Sequence, residues 1–406
     1  MRIDDSPSFT MDGDRCQRRP LVATARRARL RHPEGHSRLL LPKRMHRTQI
    51  ALCYGTRPQV IKASVLRSRL EARYSVVAVD TGQHYDYELN ALLYQQLGVR
   101  PPDATLEVGS AGHAEQTAAI LVRAEQVLQE HRPQAVVVIG DTNSTLGCAL
   151  AATKLRIPVV HVEAGLRAGD ALMPEEINRR VVDAISHVLC TPSARATRRV
   201  QSERQDAIVA QTGDVAYDAL MGQADRLPAP PVPDGDKGGP FCYATVHRAE
   251  LTDRPDVLQG VLTALATLDR PVLLALHPRT RAALDAAGIK PSFGPGLTIV
   301  PPVGYLESLA LARAAEMVFT DSGGLQREAY WMGTPCVTLR RETEWIETVE
   351  EGANIPIDPS GGAPELVRAI GAHRRRWSNG RTWPRTAYGA GDAAERIVSA
   401  LAPLVR

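Results

Sequence analysis

Aromatic side chains are scarce in this sequence: Phe, Trp and Tyr together make up 4% of 406 residues. That counts against the base-stacking platforms on which single-stranded nucleic acids bind. No apolar run approaches the ~18–20 residues needed to span a bilayer. The six cysteines (Cys16, Cys53, Cys148, Cys190, Cys242, Cys336) include no CxxC pair. Four of them lie in apolar, strand-like runs, where a free thiol packs as a small hydrophobe. A reduced, cytosolic protein fits this pattern. The chain also lacks a GxGxxG dinucleotide fingerprint, a GxxxxGK[ST] phosphate loop and a GxSxG nucleophile elbow.

A charge excess is missing too, once one segment is set aside. Residues 1–44 hold eleven Lys/Arg against five Asp/Glu, a surplus of six, so the other 362 residues carry −2 of the chain's +4. Nothing in that body suggests a polyanion-binding surface. The basic segment has Arg pairs among Pro, Ser, Gly and His but no sustained apolar period. It also contains Asp4, Asp5, Asp12 and Asp14, which transit peptides avoid. It is read as a disordered tail, or as a mis-assigned start with Met45 as the true beginning.

What is present from Thr48 onward is regular alternation. Strand-like runs at Ile50–Tyr54, Ser75–Thr81, Ala135–Gly140, Pro158–Glu163 and His187–Thr191 are separated by helical periodicity, clearest over Ala114–His131 and Asn143–Lys154. A Pro/Gly-rich stretch, Leu227–Pro240, cannot sit inside an element. A second series follows at Phe241–Val246, Pro271–Leu276, Leu297–Val300, Glu316–Thr320 and Pro335–Leu339, and the chain closes on a helix at Ala393–Leu401. The fold class is therefore α/β, with two doubly wound Rossmann-like domains facing a cleft. Ligands in such sheets bind beyond the carboxyl ends of the strands.

The chemistry-bearing residues fall at those ends. Thr320-Asp321-Ser322-Gly323-Gly324 is a strand, a glycine turn and a helix start, where free N–H groups and the helix dipole make an anion site. Glu328, about one and a half turns further, is near enough to reach a ribose or sugar hydroxyl. Gly55-Thr56-Arg57-Pro58-Gln59-Val60-Ile61-Lys62 brings two cations, Arg57 and Lys62, to another helix start, which suits a diphosphate; an ordinary turn with solvated charges reads the same way. Asp141, in Gly140-Asp141-Thr142-Asn143, is either a functional carboxylate or an N-cap. Glu163 ends an apolar strand, a position expected to raise a carboxylate's pKa and fit it for proton transfer; a buried glutamate paired with an arginine is the competing interpretation. Glu175 opens a helix, where an acidic residue is by itself an ordinary partner of the helix dipole; with Asp141 and Glu163 it brings a third carboxylate to the same rim. In the second half, His247 and His277 lie just past strands, with no second ligand at i+4, so a hydrogen-bonding or acid/base role is favoured over zinc. Helix capping is the competing reading for each, the less favoured of the two.

Together these segments resemble the non-hydrolysing UDP-N-acetylglucosamine 2-epimerase family from about Met45 to the C-terminus. The resemblance rests on GTRP…IK, TGQHYD (Thr81–Asp86), GDTNSTL, HVEAGLR, PEEINR, HRAE, HP, PVGYLE (Pro302–Glu307), TDSGG.Q.EA and TEW.E, in order. The closing Tyr388-Gly389-Ala390-Gly391 resembles the family's YGDG with Ala390 in place of Asp. The resemblance implies a glycosyltransferase-B-like architecture: residues 45–226 as an N-terminal domain with the catalytic carboxylates, 227–240 as linker, 241–384 as a UDP-binding domain, and 385–406 as a helix crossing back to the first. It implies inversion at carbon 2 of a UDP-HexNAc, UDP-N-acetylglucosamine to UDP-N-acetylmannosamine, by elimination of UDP to 2-acetamidoglucal and re-addition. By position Asp141, Glu163, Glu175 and His247 match the family's catalytic group. Arg57, Lys62, Arg179, His277, Ser322, Gly323, Gly324 and Glu328 match the UDP-sugar-binding set. No metal or cofactor is implied, nor any nucleic-acid or membrane partner, and a homodimer is expected.

Two departures bear on the sugar. Gln59 stands where many members have Glu, and TEWIE replaces TERPE. GTRPQ.IKAS, TGQHYD, MPEEINR, LHPRT and TEW resemble the branch with UDP-2,3-diacetamido-2,3-dideoxyglucuronic acid 2-epimerases, which makes that sugar the second substrate to consider. The same elimination is also compatible with a hydrolysing enzyme that releases UDP, and the same fold with a glycosyltransferase. The glycosyltransferase is disfavoured because transfer needs no carbon 2 acid/base set. Gln83 and His84 lie where some relatives bind an allosteric UDP-sugar, but Tyr85 and Asp86 differ from that pattern.

Overall fold

The computed structural model describes residues 47–83, 94–95, 97–232, 239–290, 292–377, 380 and 382–405. The basic segment with Cys16, the residues His84, Tyr85 and Asp86, and positions 233–238 of the Pro/Gly-rich stretch lie outside them.

Among the described residues two parallel sheets form, and the composition of their strands explains why. Ala135–Ile139 reads AVVVI and is completely buried, as a strand must be when helices cover both faces of its sheet. The first sheet contains β1 (Gln49–Tyr54), β2 (Ser75–Asp80), β3 (Ala104–Thr105), β4 (Ala135–Ile139), β5 (Val159–Val162), β6 (Val188–Thr191) and β7 (Ile208–Gln211), in the order β3-β2-β1-β4-β5-β6-β7. The second contains β8 (Cys242–Thr245), β9 (Val272–Ala275), β10 (Leu297–Val300), β11 (Met317–Thr320), β12 (Cys336–Thr338) and β13 (Asn354–Pro356), in the order β10-β9-β8-β11-β12-β13. The expected strands are all found within a residue or two of their predicted bounds. The helices Asn143–Lys154 and Ala393–Leu401 are found as expected. The strands not foreseen, β3, β7 and β13, are short edges of two to four residues, with too little apolar pattern to be read.

In each sheet the order reverses between the first strand and a later one: β1 beside β4, and β8 beside β11. At such a switch point the loops diverge to opposite faces and leave a crevice beyond the strand ends. Gly55 and Asp141 follow β1 and β4; His247 and Asp321 follow β8 and β11.

Aliphatic cores lie on both faces of each sheet. The closing helix, through Ala393, Ala394, Ile397, Val398 and Leu401, packs into the core of the first sheet beside Ile50, Leu52 and Leu66. A different cluster joins the two sheets. Leu166 and Leu220 of the first meet Leu309, Tyr330, Trp331 and Trp345 of the second, with Trp383 and Tyr388 of the returning segment. Tyr217 stacks on Trp331 at 5.0 Å, and Tyr388 meets Trp345 edge-on at 5.5 Å. Three of the four tryptophans, Trp331, Trp345 and Trp383, lie at this junction. No helix among the described residues is long and apolar enough to cross a membrane.

Candidate active site

The first rim is built by the turns after β1, β4 and β5. Gly140, at φ +72°, turns the chain sharply after β4. The helix that follows is capped by Thr142, whose hydroxyl accepts from the Thr145 N–H, so Asp141 is not the N-cap. Its carboxylate instead receives Arg179 Nε at 2.9 Å and Nη2 at 2.7 Å. Arg179 in turn donates to Glu176 at 2.9 Å.

Glu163 corrects an expectation. It is buried as foreseen, but its carboxyl is not raised. Burial alone would push it up; Lys62 Nζ at 2.6 Å and Arg327 Nη1 at 3.2 Å on the same oxygen, Oε1, outweigh that and hold it down at about 2. Its other oxygen, Oε2, lies over Gly140, 3.4 Å from where a Cβ there would stand. The residue adopts φ +70°, a conformation that a side-chain-bearing residue keeps only when its surroundings enforce it.

Lys62 is thus a buried partner of Glu163, whereas Arg57 at the helix start is partly exposed. Glu175 is exposed on the first turn of its helix, while its neighbour Glu176 is fully buried and accepts from Ala168 N, Arg179 and Arg180. Beneath this rim, His161 Nε2 faces the Gly140 carbonyl at 2.8 Å and Nδ1 faces Asp183 at 2.7 Å. Burial would raise Asp183, but His161 and Arg167 outweigh it and hold it low.

Gln59 shows why an amide suits this position. Its Oε1 accepts from Gly55 N at 2.9 Å and Thr56 N at 3.2 Å, while Nε2 donates to the Ile139 carbonyl at 2.6 Å. A glutamate would accept the first two bonds but could not supply the third.

The second rim is arranged differently. Asp321 Oδ2 accepts the backbone N–H groups of His247 at 2.8 Å and Arg248 at 2.7 Å, and Oδ1 stands 3.5 Å from His247 Nδ1. Oδ1 has no hydrogen-bond partner among the described residues. The His247 and His277 rings lie 5.1 Å apart. Burial lowers the pKa of both, and for His277 the neighbouring His247 and the positive charge of Arg57 add to it, so both are neutral imidazoles near pH 7. His277 also caps its own helix, Nδ1 accepting from Arg279 N at 3.2 Å.

Ser322 caps the helix Gly323–Met332, its hydroxyl accepting from Leu325 N. Gly323 lies close against neighbouring side chains: an added Cβ would stand 2.9 Å from Glu344 Oε1 and 3.1 Å from Trp345 Nε1. Gly324 is more open, its nearest neighbour being Ser322 Oγ at 3.7 Å. Glu328 is partly buried and pushed up to about 7 by that burial, which the charges of Arg327 and Lys62 offset only in part.

The rims are tied to each other. Arg327, on the second sheet's helix, bonds Glu163 and also the buried Asp214 of the first. Glu342 accepts from Gly169 N at 3.1 Å, and Tyr388 Oη donates to Glu347 at 3.0 Å. Asp321 belongs to the glycine-turn motif after β11, but Arg327 and Asp214 carry no local signal: one resembles a solvated helix charge, the other an N-cap. A cavity of about 460 Å³ opens elsewhere, among Cys242, Phe319, Val367 and Arg374, and contains none of the residues above.

The model of the UDP-N-acetylglucosamine 2-epimerase family matches residues 68–402. The chain is 39% identical to the UDP-2,3-diacetamido-2,3-dideoxy-D-glucuronate 2-epimerase of Pseudomonas aeruginosa, covering 88% of this chain and 100% of that one. It is 35% identical to the UDP-N-acetylglucosamine 2-epimerase of Methanocaldococcus jannaschii, covering 87% and 98%. The crystal structure of the M. jannaschii protein in complex with UDP-GlcNAc and UDP superposes with a TM-score of 0.77 at 35% identity, over 88% of this chain and 99% of that one.

Proposed function

Since this chain belongs to the UDP-N-acetylglucosamine 2-epimerase family, we propose that it inverts carbon 2 of UDP-N-acetylglucosamine to give UDP-N-acetylmannosamine without net hydrolysis. The observation that carries this reading is the meeting of two unlike strand-end rims. One bears the carboxylates of Asp141 and Glu163; the other bears neutral His247 and the glycine turn at Ser322.

Carbon 2 has no adjacent carbonyl, so direct enolisation is unavailable. An ionised carboxylate of the first rim removes the carbon 2 proton. The C1–O bond to UDP breaks with that transfer, its electron pair leaving on UDP and oxocarbenium-like charge developing at carbon 1, to give 2-acetamidoglucal and UDP within the site. Re-addition of UDP at carbon 1, with a proton delivered to the opposite face of carbon 2, completes the inversion. Glu163 takes the base role by its place at the strand end, its low pKa making it a weak acceptor whose fixed proximity to carbon 2 must offset that, and Asp141, Glu175 and His247 complete the acid/base set. Arg57, Lys62, Arg179, His277 and the N–H groups at Ser322–Gly324 stabilise the departing diphosphate, and Glu328 takes a ribose hydroxyl.

Proton NMR in D₂O with UDP-N-acetylglucosamine tests this. A growing UDP-N-acetylmannosamine signal, deuterium at carbon 2 and little free UDP are expected. Glu163→Gln is expected to bind UDP normally and to slow carbon 2 exchange by ~10²-fold or more; near-normal turnover removes Glu163 from the set. The 39% identity to the P. aeruginosa protein favours a second reading, the diacetamido uronic acid as substrate. Exchange on that sugar alone would establish it.

A further inference from the structure

We propose that Arg327 is a positioning residue that reaches across from the second sheet to keep the Glu163 carboxylate ionised and aimed, so that the first rim's base is complete only when the two sheets are joined. The role of Glu163 as base rests on the proposed function; the electrostatic link does not.

Geometry carries the assignment. Glu163 uses its two oxygens differently: Oε1 takes both cations, Lys62 at 2.6 Å and Arg327 at 3.2 Å, while Oε2 lies over Gly140, next to Asp141. Clamping one oxygen turns the other toward the rim. Lys62 belongs to the same sheet as Glu163, but Arg327 lies 164 residues away on the opposite one. Arg327 is itself fixed from both sides. The buried Asp214 carboxylate holds it from the first sheet. The Trp345 ring, 3.8 Å from its guanidinium carbon, and Trp331 at 5.8 Å hold it from the second.

The charges facing this group are Lys62, Arg327 and Asp214, with Glu328, Tyr305 and Tyr388 beyond them. Two cations meet the two carboxylates Glu163 and Asp214, so the cluster is balanced only with Arg327 in place. Withdrawing that residue leaves Glu163 with one cation and strands Asp214.

The experiment is a carboxyl titration of ¹³C-glutamate-labelled protein by NMR, in wild type, Arg327→Gln and Arg327→Lys. In Arg327→Gln the Glu163 midpoint is expected to rise by at least about one pH unit, a tenfold gain in proton affinity, and the acid limb of carbon 2 exchange to move with it. Arg327→Lys, which keeps the charge, is expected to restore the midpoint. Because Arg327→Gln strands Asp214, the double variant Arg327→Gln/Asp214→Asn is measured beside it, with an upward shift again expected. An unshifted midpoint in a folded variant lacking the Arg327 charge overturns the proposal. The NMR midpoint needs no turnover, so a wild-type chain inactive on every UDP-sugar would sink the proposed function and leave this test standing.

Discussion

The two rims solve opposite problems. On the first, nearly every charge is already matched within the protein: Asp141 and Glu176 by Arg179, Asp183 by His161 and Arg167, Glu163 by Lys62 and Arg327. On the second, buried polar atoms are left over, with Asp321 Oδ1 and Trp345 Nε1 lacking hydrogen-bond partners among the described residues. A pre-paired rim holds its carboxylates in fixed geometry and protonation. A rim with unmet donors and acceptors is suited to a ligand that supplies the missing bonds. Stability and binding capacity are thus divided between the sheets, with Arg327 as the link.

That division can be broken most forcefully at Asp214. Replacing it by alanine leaves the buried cations Lys62 and Arg327 to share the single carboxylate of Glu163, one positive charge in excess, and removes the cap on Ala216 N. A loss of roughly 3–5 kcal/mol is expected from urea unfolding; a loss below ~1 kcal/mol would mean that the link between the rims does not hold the fold together.

Acid sharpens the comparison next, because each rim has a buried carboxylate held at about 2. Glu163 and Glu344 both lie near 2, burial being outweighed by Lys62 and Arg327 in one case and by Arg340 and Arg248 in the other. A depressed carboxylate contributes stability that is full above its unfolded value of about 4.5 and is lost as pH falls through about 2. Urea midpoints are therefore expected to drop between pH ~4.5 and ~2, by an amount on the order of 3 kcal/mol for each group. The drop should be smaller in Glu163→Gln and in Glu344→Gln; an identical acid slope in both variants contradicts the assignment.

The smallest effect on stability is expected at Gly323. An alanine there meets only the ends of the Glu344 and Trp345 side chains, so unfolding should change by no more than ~1 kcal/mol. Binding of UDP, followed by calorimetry, should weaken about tenfold, because the methyl group crowds the helix N-terminus. Unchanged UDP affinity would place the diphosphate elsewhere.

Much of the fold was legible because its signals are local. The AVVVI of β4 is a buried strand by composition alone, and the glycine turn after Thr320 announces a helix start. The positions of Asp141, Glu163, His247 and Ser322 at strand ends follow from that alternation. What failed was the inference from burial to a raised Glu163. Desolvation was counted correctly, but Lys62 lies in a helix about a hundred positions earlier and Arg327 in one 164 positions later, and no periodicity pairs them. The raised pKa of Glu328, the turning inward of Glu176 instead of Glu175, and the use of Gln59 as a bridge between two turns were hidden for the same reason.

By itself, then, the sequence determined the elements, the two sheets and the strand ends where chemistry-bearing side chains collect, because hydrophobic period and turn chemistry act over a few residues. Only the tertiary structure decided which charges meet. Coulomb energies in a buried cluster depend on distances of 3–4 Å between segments far apart in the chain, and those distances exist only once both sheets are packed.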